Sequence, residues 1–153
     1  MTHEPVDGIG NEKVIEFVNE VGPYIKKYLG EDKGVILSVC TGGVYYGMRL
    51  RSYLIEGRDP DDVLYGEIEK ENISLDSLPV DGRKIVVVDD AVGTGSTYKK
   101  LMANLEPQIE KSNAEDLIYV VYNDMIGFAD CSANRGWTRK KKKKGILSSL
   151  FNI

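Results

Sequence analysis

The sequence predicts an α/β fold, a parallel twisted sheet flanked by helices. Three observations carry that expectation. Short runs rich in β-branched residues (Val35-Ile36-Leu37-Ser38-Val39 and Ile85-Val86-Val87-Val88) read as buried strands, and Leu117 to Tyr122 as a further strand. Stretches with apolar residues at helical spacing alternate with them. The connections are short, which suits crossovers between parallel strands.

Taken in order, residues 1–10 read as a polar lead-in and Asn11 as a helix N-cap. Val14, Val18, Val21, Ile25 and Leu29 then recur at helical spacing, with Gly22-Pro23 expected to kink or split the helix and Gly30 to stop it. After the strand Val35–Val39, Thr41-Gly42-Gly43 turns the chain into a helix from Val44 to Ile55, with Met48 and Leu54 among its apolar contacts. Arg58 to Asp62 is a polar turn, Val63 to Ile68 a weak strand, and Glu69 to Gly82 a loop. Ile85 to Val88 is the clearest strand. A helix fits Thr97 to Lys111, bent or shortened by Pro107, and Leu117 to Tyr122 is a further strand. In parallel sheets ligands bind beyond the carboxyl ends of the strands. Both glycine-rich turns, Thr41–Gly43 and Gly93–Thr97, stand at such ends.

Length and charge bound the function. A chain of 153 residues suits one domain, 1–153, with a core that needs no disulfides. The net charge of −4 hides an asymmetry: Arg139 and Lys140 to Lys144 are consecutive, and no acid follows Asp130. Residues 1–138 therefore carry 14 basic against 24 acidic side chains, or −10, and the basic and apolar tail 139–153 carries +6. A body at −10 argues against a nucleic-acid-binding face, so any such role rests on the tail. No apolar run approaches the ~18 residues of a membrane-spanning helix. The N-terminus lacks the basic start and apolar segment of a signal peptide. Cys40 and Cys131 make no disulfide framework or zinc pattern, and the single histidine, His3, makes no metal cluster. A cytosolic protein without a membrane role is expected.

The chemistry concentrates between Ile85 and Thr97. Two adjacent carboxylates, Asp89 and Asp90, end a buried strand, where they need cations or hydroxyl donors. The turn Gly93-Thr94-Gly95-Ser96-Thr97 then opens a helix with backbone N–H groups and three hydroxyls, an anion site. A sugar phosphate satisfies both ends. A P-loop would need lysine where Gly95 stands before Ser96-Thr97. A dinucleotide fingerprint would need a third glycine at Tyr98 and does not begin with paired acids.

The segment Val86–Thr97, VVVDDAVGTGST, resembles the phosphoribosyl-diphosphate (PRPP) signature of the type I phosphoribosyltransferases. The resemblance implies that Asp89 and Asp90 hydrogen-bond the ribose hydroxyls, directly or through a magnesium shell, and stabilise positive charge at an oxocarbenium-like ribosyl centre. It implies that Gly93, Thr94, Gly95, Ser96 and Thr97 cradle the 5-phosphate. Mg2+ would accompany the diphosphate, bound mostly by substrate oxygens and water, with Asp89 and Asp90 as indirect metal contacts. The loop Cys40-Thr41-Gly42-Gly43 matches the family's diphosphate loop in position and glycines, although Thr41 stands where a basic residue is usual. In the family this loop can hold a non-proline cis peptide, which here would be Cys40–Thr41. Without a visible activator Cys40 reads as a packed thiol.

Gly93 departs from the hypoxanthine-guanine type, which often places an aspartate there as general acid/base. A lid over the diphosphate would fall between Leu64 and Leu78, with Tyr65, Lys70 and Glu71 as candidates to approach the ligand. Base recognition would come from a small variable hood in Asn123 to Arg139. Trp137 is the candidate to stack on the base, and Asn123, Asp124 and Asn134 could read its edges. The leading expectation is transfer of a phosphoribosyl group from PRPP to a nitrogenous base, a purine, by a homodimeric enzyme of purine salvage. The alternative is a PRPP- or nucleotide-binding regulator without catalysis. The tail reads as a solvated charge run with a docking end. Attraction to acidic surfaces, recruitment of PRPP or nucleic acid, and attachment to a membrane surface are its other readings.

Overall fold

Two strings of buried aliphatic side chains organise the protein, one on each face of a single sheet. The structure, a computed structural model, describes residues 11–71 and 73–139. Its elements are α1 (Glu12–Leu29), β1 (Gly34–Val39), α2 (Val44–Leu54), β2 (Val63–Ile68), β3 (Lys84–Val92), α3 (Ser96–Lys111), β4 (Asp116–Asp124), β5 (Cys131–Ser132) and β6 (Gly136–Trp137). The strand order is β2-β1-β3-β4-β5-β6. β1 to β5 run parallel and β6 is antiparallel to β5. The predicted parallel sheet flanked by helices is therefore present.

Strand alternation sorts the core. Ile36, Val86, Val88, Ile118 and Val120 face α1 and α2 through Phe17, Val18, Ile25, Leu50 and Leu54. Val35, Leu37, Ile85, Val87 and Tyr119 face α3 through Leu101, Leu105 and Ile109. β1 is buried on every residue, as its composition predicts.

Several boundaries differ from the sequence reading, each for a tertiary reason. Asn11 caps α1 by accepting from the Lys13 amide at 2.7 Å, and Gly30 ends the helix. Pro23 does not split it: Val21 and Ile25 on either side are fully buried, and packing holds the helix continuous through the proline. α3 likewise runs past Pro107 to Lys111. Met48 is exposed, and α2 packs through Gly47, Leu50 and Leu54. β3 extends beyond Val88 to Val92, because β4 is equally long and pairs with it from Asp116 to Asp124. Asp89 and Asp90 are thus strand residues, and the turn begins at Gly93.

The expected lid shrinks most. Leu64 to Ile68 pair with β1, and Ile73 and Leu75 are buried. Gln108 of α3 accepts from the Leu75 amide at 2.6 Å and donates to the Ile73 carbonyl at 2.7 Å. Glu69, Lys70 and Glu71 are exposed between Ile68 and Ile73, and Ser74, Asp76 and Ser77 also face solvent around Leu75.

Arg139 closes the sheet at the amino end of β4. Its guanidinium donates to both Asp116 oxygens, at 2.7 and 2.9 Å, while the Tyr28 hydroxyl donates to the same carboxylate at 2.9 Å. Burial alone would raise the Asp116 pKa, but the Arg139 guanidinium holds it down at about 2. One charge of the basic run is therefore paired, at the sheet end opposite Asp124. Lys140 to Lys144, the apolar end of the tail, the N-terminal lead-in and His3 lie outside the described residues. Among the described residues no helix is long and apolar enough to cross a membrane.

Candidate functional site

The carboxyl ends of β1 and β3 bring the two glycine-rich loops together. Gly43 sits directly on β3: a Cβ there would meet the Val88 carbonyl oxygen and stand 2.9 Å from the Asp89 Cα. Only glycine permits that approach. A Cβ on neighbouring Gly42 would stand 2.6 Å from Asp90 Oδ2, so the Asp90 carboxylate lies against this loop. The Cys40–Thr41 peptide is cis, where the resemblance placed it.

Strand alternation separates the two acids. Asp90 is exposed on the α1/α2 side, beside the Cys40–Gly43 loop. Asp89 is 3% exposed and turns towards α3. Its Oδ1 accepts from the Asp90 amide at 2.8 Å and its Oδ2 from the Tyr119 hydroxyl at 3.1 Å. Burial pushes the Asp89 carboxyl up to about 6, against the lowering effect of these donors. Burial, then the Asp90 charge, also raises Tyr46 of α2, whose ring stacks on Tyr122 with centroids 5.6 Å apart.

Gly95, the residue before α3, has no side chain to cap the helix, and the Ser96 amide donates to the Thr94 hydroxyl at 3.3 Å. Gly95 supplies the left-handed residue before the helix, with φ 88°. Ala91 to Tyr98 line an open hollow at the start of α3. The first-turn amides and the helix dipole favour an anion there. Phe128 and Ile126 border Gly95, and Lys99 lies over the Phe128 ring at 5.8 Å.

Electrostatics around the other loop run the opposite way. Cys40 Sγ is 3.9 Å from Glu67 Oε1; burial first, then Glu69 and Glu67, push its thiol pKa up. Cys40 is thus not an activated thiol, and it is half-buried rather than packed in the core. Tyr65 lies in β2 and donates to Glu67 at 3.2 Å. No group of three metal-binding side chains occurs among the described residues.

The hood is small and closed on itself. Asp124 is fully buried, and its carboxylate accepts from the amides of Ile126, Gly127, Phe128 and Ala129. Asn134 brackets the Asp124 backbone, accepting from its N–H and donating to its carbonyl. These two residues organise the turn, which leaves Asn123 exposed at the end of β4. Trp137 is not brought to the loops. It packs on α1 between Tyr24 and Tyr28, with centroids at 6.4 and 5.8 Å, and pairs with Cys131 at mid-sheet level.

Sequence reasoning missed Tyr119 and Phe128. A tyrosine inside a buried β-branched run was the available signal for Tyr119, because its hydroxyl needs a partner in the core. Nothing in the sequence marked Phe128, whose place beside Gly95 is a tertiary contact.

No protein-family model matches the chain, and no curated protein sequence matches it. Solved structures do. The hypoxanthine phosphoribosyltransferase from Trypanosoma cruzi, in complex with the product IMP, aligns over 80% of this chain and 70% of its own, at 21% identity and a TM-score of 0.61. A hypoxanthine-guanine-xanthine phosphoribosyltransferase aligns over 76% and 65%, at 23% identity and a TM-score of 0.57. A hypoxanthine phosphoribosyltransferase from Staphylococcus aureus aligns over 88% and 70%, at 13% identity and a TM-score of 0.57. At such identities the likeness shows the fold: this chain is built on the type I phosphoribosyltransferase fold and spans about two thirds of those chains.

Proposed function

We propose that the protein transfers the 5-phosphoribosyl group of PRPP to a nitrogenous base, a purine, releasing diphosphate. The observation that carries this reading is the meeting of two loops at one sheet end. A glycine-led helix N-terminus suited to a phosphate and an exposed carboxylate against a glycine loop stand together at the end of β3. The shared fold of hypoxanthine phosphoribosyltransferases supports it.

In this reading the Gly93–Thr97 amides and hydroxyls hold the 5-phosphate. Asp90 accepts from the ribose hydroxyls and faces the positive charge that develops as the bond from C1 to the diphosphate breaks and the bond to the base nitrogen forms. Asp89 holds Asp90 from below. The Gly42 and Gly43 backbone flanks the diphosphate. Asn123 is the exposed side chain placed to meet the base; Trp137 would serve the hood only as packing.

Mg2+ fits as a substrate-borne ion. One exposed carboxylate, Asp90, together with diphosphate oxygens and water, suits a cation that prefers few protein ligands. Such an ion would neutralise the diphosphate as it leaves. That need is acute here, because Thr41 supplies no cation and Glu67 and Glu69 lie near the loop.

The same shortage of positive charge, with no side chain at Gly93, favours the second reading, a PRPP- or nucleotide-binding regulator. A panel of bases incubated with PRPP and Mg2+, followed by diphosphate release, separates the two. Turnover with any base is expected; tight PRPP binding with no turnover across the panel establishes the regulator instead. Asp90→Asn is expected to weaken PRPP binding at least about tenfold, the loss of charge-assisted hydrogen bonds, with the melting midpoint retained. Unchanged PRPP binding by that variant would remove Asp90 from the site.

A further inference from the structure

Asp89 and Tyr119 form a polar pair in an otherwise aliphatic layer. Tyr119 is 1% exposed and lies opposite Val87 in the β3–β4 register. Its ring leans along the sheet face to reach the next inward residue of β3, Asp89, at 3.1 Å. Tyr98 of α3 packs edge-on against it, with centroids 5.0 Å apart. Two apolar residues of matching shape could fill this space with little loss of stability, since replacing both partners of a buried polar pair is often nearly neutral. The pair therefore calls for a role other than stability.

Its connections suggest one. The β1–β3 register stops at Val88, and the β3–β4 register skips Asp90. The Asp90 amide is instead held by Asp89 Oδ1, at 2.8 Å. Asp89 Oδ2 is held by Tyr119. The backbone of Tyr119 is fixed in turn by Asp130, whose carboxylate accepts from the Tyr119 amide at 2.8 Å and whose amide donates to the Tyr119 carbonyl at 2.8 Å. One chain of bonds thus runs from the hood turn through a core tyrosine to the peptide that carries the ligand-facing carboxylate.

The geometry points to Tyr119 as a positioning residue: through Asp89 its hydroxyl fixes the Asp90 peptide, and so the direction in which the Asp90 carboxylate meets the sugar. The ligand half of this statement rests on the PRPP reading; the structural half does not. A pair that only filled the core would leave the Asp90 amide indifferent to the tyrosine hydroxyl.

The test uses the full chain and Tyr119→Phe, with Tyr24→Phe as control, because Tyr24 lies on α1 beside Trp137 and its hydroxyl does not bond Asp89. Amide hydrogen exchange is read residue by residue, and PRPP binding with Mg2+ is measured by calorimetry. In Tyr119→Phe, exchange at Asp90 is expected to quicken about tenfold, the effect of loosening one hydrogen bond to a charged group. Val120 and Val121 should not change, and the PRPP dissociation constant should rise by a similar factor. Tyr24→Phe should alter neither. Unchanged Asp90 exchange in Tyr119→Phe overturns the inference whatever PRPP does. Quickened exchange with unchanged PRPP affinity also overturns the positioning role. If the wild type does not bind PRPP, the proposed function fails, and the exchange result still decides the Tyr119–Asp89–Asp90 linkage. Should Tyr119→Phe not fold, the wild type itself decides: an Asp90 amide exchanging as fast as an unprotected surface amide overturns the linkage.

Discussion

Gly43 and Gly93 show how differently two glycines of one site are constrained. A methyl group on Gly43 runs into the Val88 carbonyl and the Asp89 Cα, neither of which can yield without moving β3. Gly43→Ala is expected to cost about 1–3 kcal/mol in urea unfolding, the usual range for overpacking, and to displace the Asp89–Asp90 segment. Gly93 has open space around its Cβ position. Gly93→Ala should change stability by no more than about 0.5 kcal/mol, so any loss of PRPP binding there would report on ligand contact alone. The paired acids behave similarly as a lesson. Adjacent in sequence, they are separated by strand alternation into a buried carboxylate and an exposed one.

At the scale of elements, the segment after β2 is held by buried Ile73 and Leu75 and by the Gln108 amide that bonds their backbone. Removing the amide with Gln108→Ala frees the Leu75 N–H and the Ile73 carbonyl. A loss of about 1–2 kcal/mol is expected, with faster proteolysis confined to residues 73–77; uniform loosening of α3 would contradict the anchor. The amino end of β4 carries a pH signature of opposing signs. Asp116 has a folded pKa near 2, below its ordinary 3.8. Its contribution, about 2 kcal/mol, is present in full above about pH 5 and lost as pH falls through 4 towards 2. Asp130 is raised by burial to about 6. Its contribution is present below about pH 4 and lost as pH rises through 6. Denaturant midpoints should therefore show Asp116→Asn removing the acid loss and Asp130→Asn removing the decline between pH 4 and 6.

At the scale of the whole molecule, charge is arranged by end. The end that carries the two glycine-rich loops combines backbone amides with carboxylates, while Arg139 carries the start of the basic run to the opposite end of β4. Two truncations expose the difference. Deletion of 139–153 removes the Arg139 pair and leaves Asp116 buried without its guanidinium; deletion of 140–153 keeps it. The first should be less stable than the second by about 3 kcal/mol, as for other buried pairs broken on one side. Equal stability would show that the pair adds nothing. The truncation at 140 is also the one suited to testing the lysine run for nucleic-acid or surface binding, because the sheet is left intact.

The sequence by itself determined the sheet class, the order of its principal elements and the two glycine-rich loops. β-branched runs, caps and glycines act over a few residues and are visible in one dimension. It did not determine that Pro23 and Pro107 sit inside continuous helices, that Asp124 closes the hood, or that Trp137 packs on α1. Nor did it separate the roles of Asp89 and Asp90. Each of these depends on what a neighbouring element places opposite a side chain: an aliphatic face that holds a helix through its proline, four amides around one carboxylate, two tyrosines beside an indole, and a tyrosine hydroxyl under one aspartate but not the other.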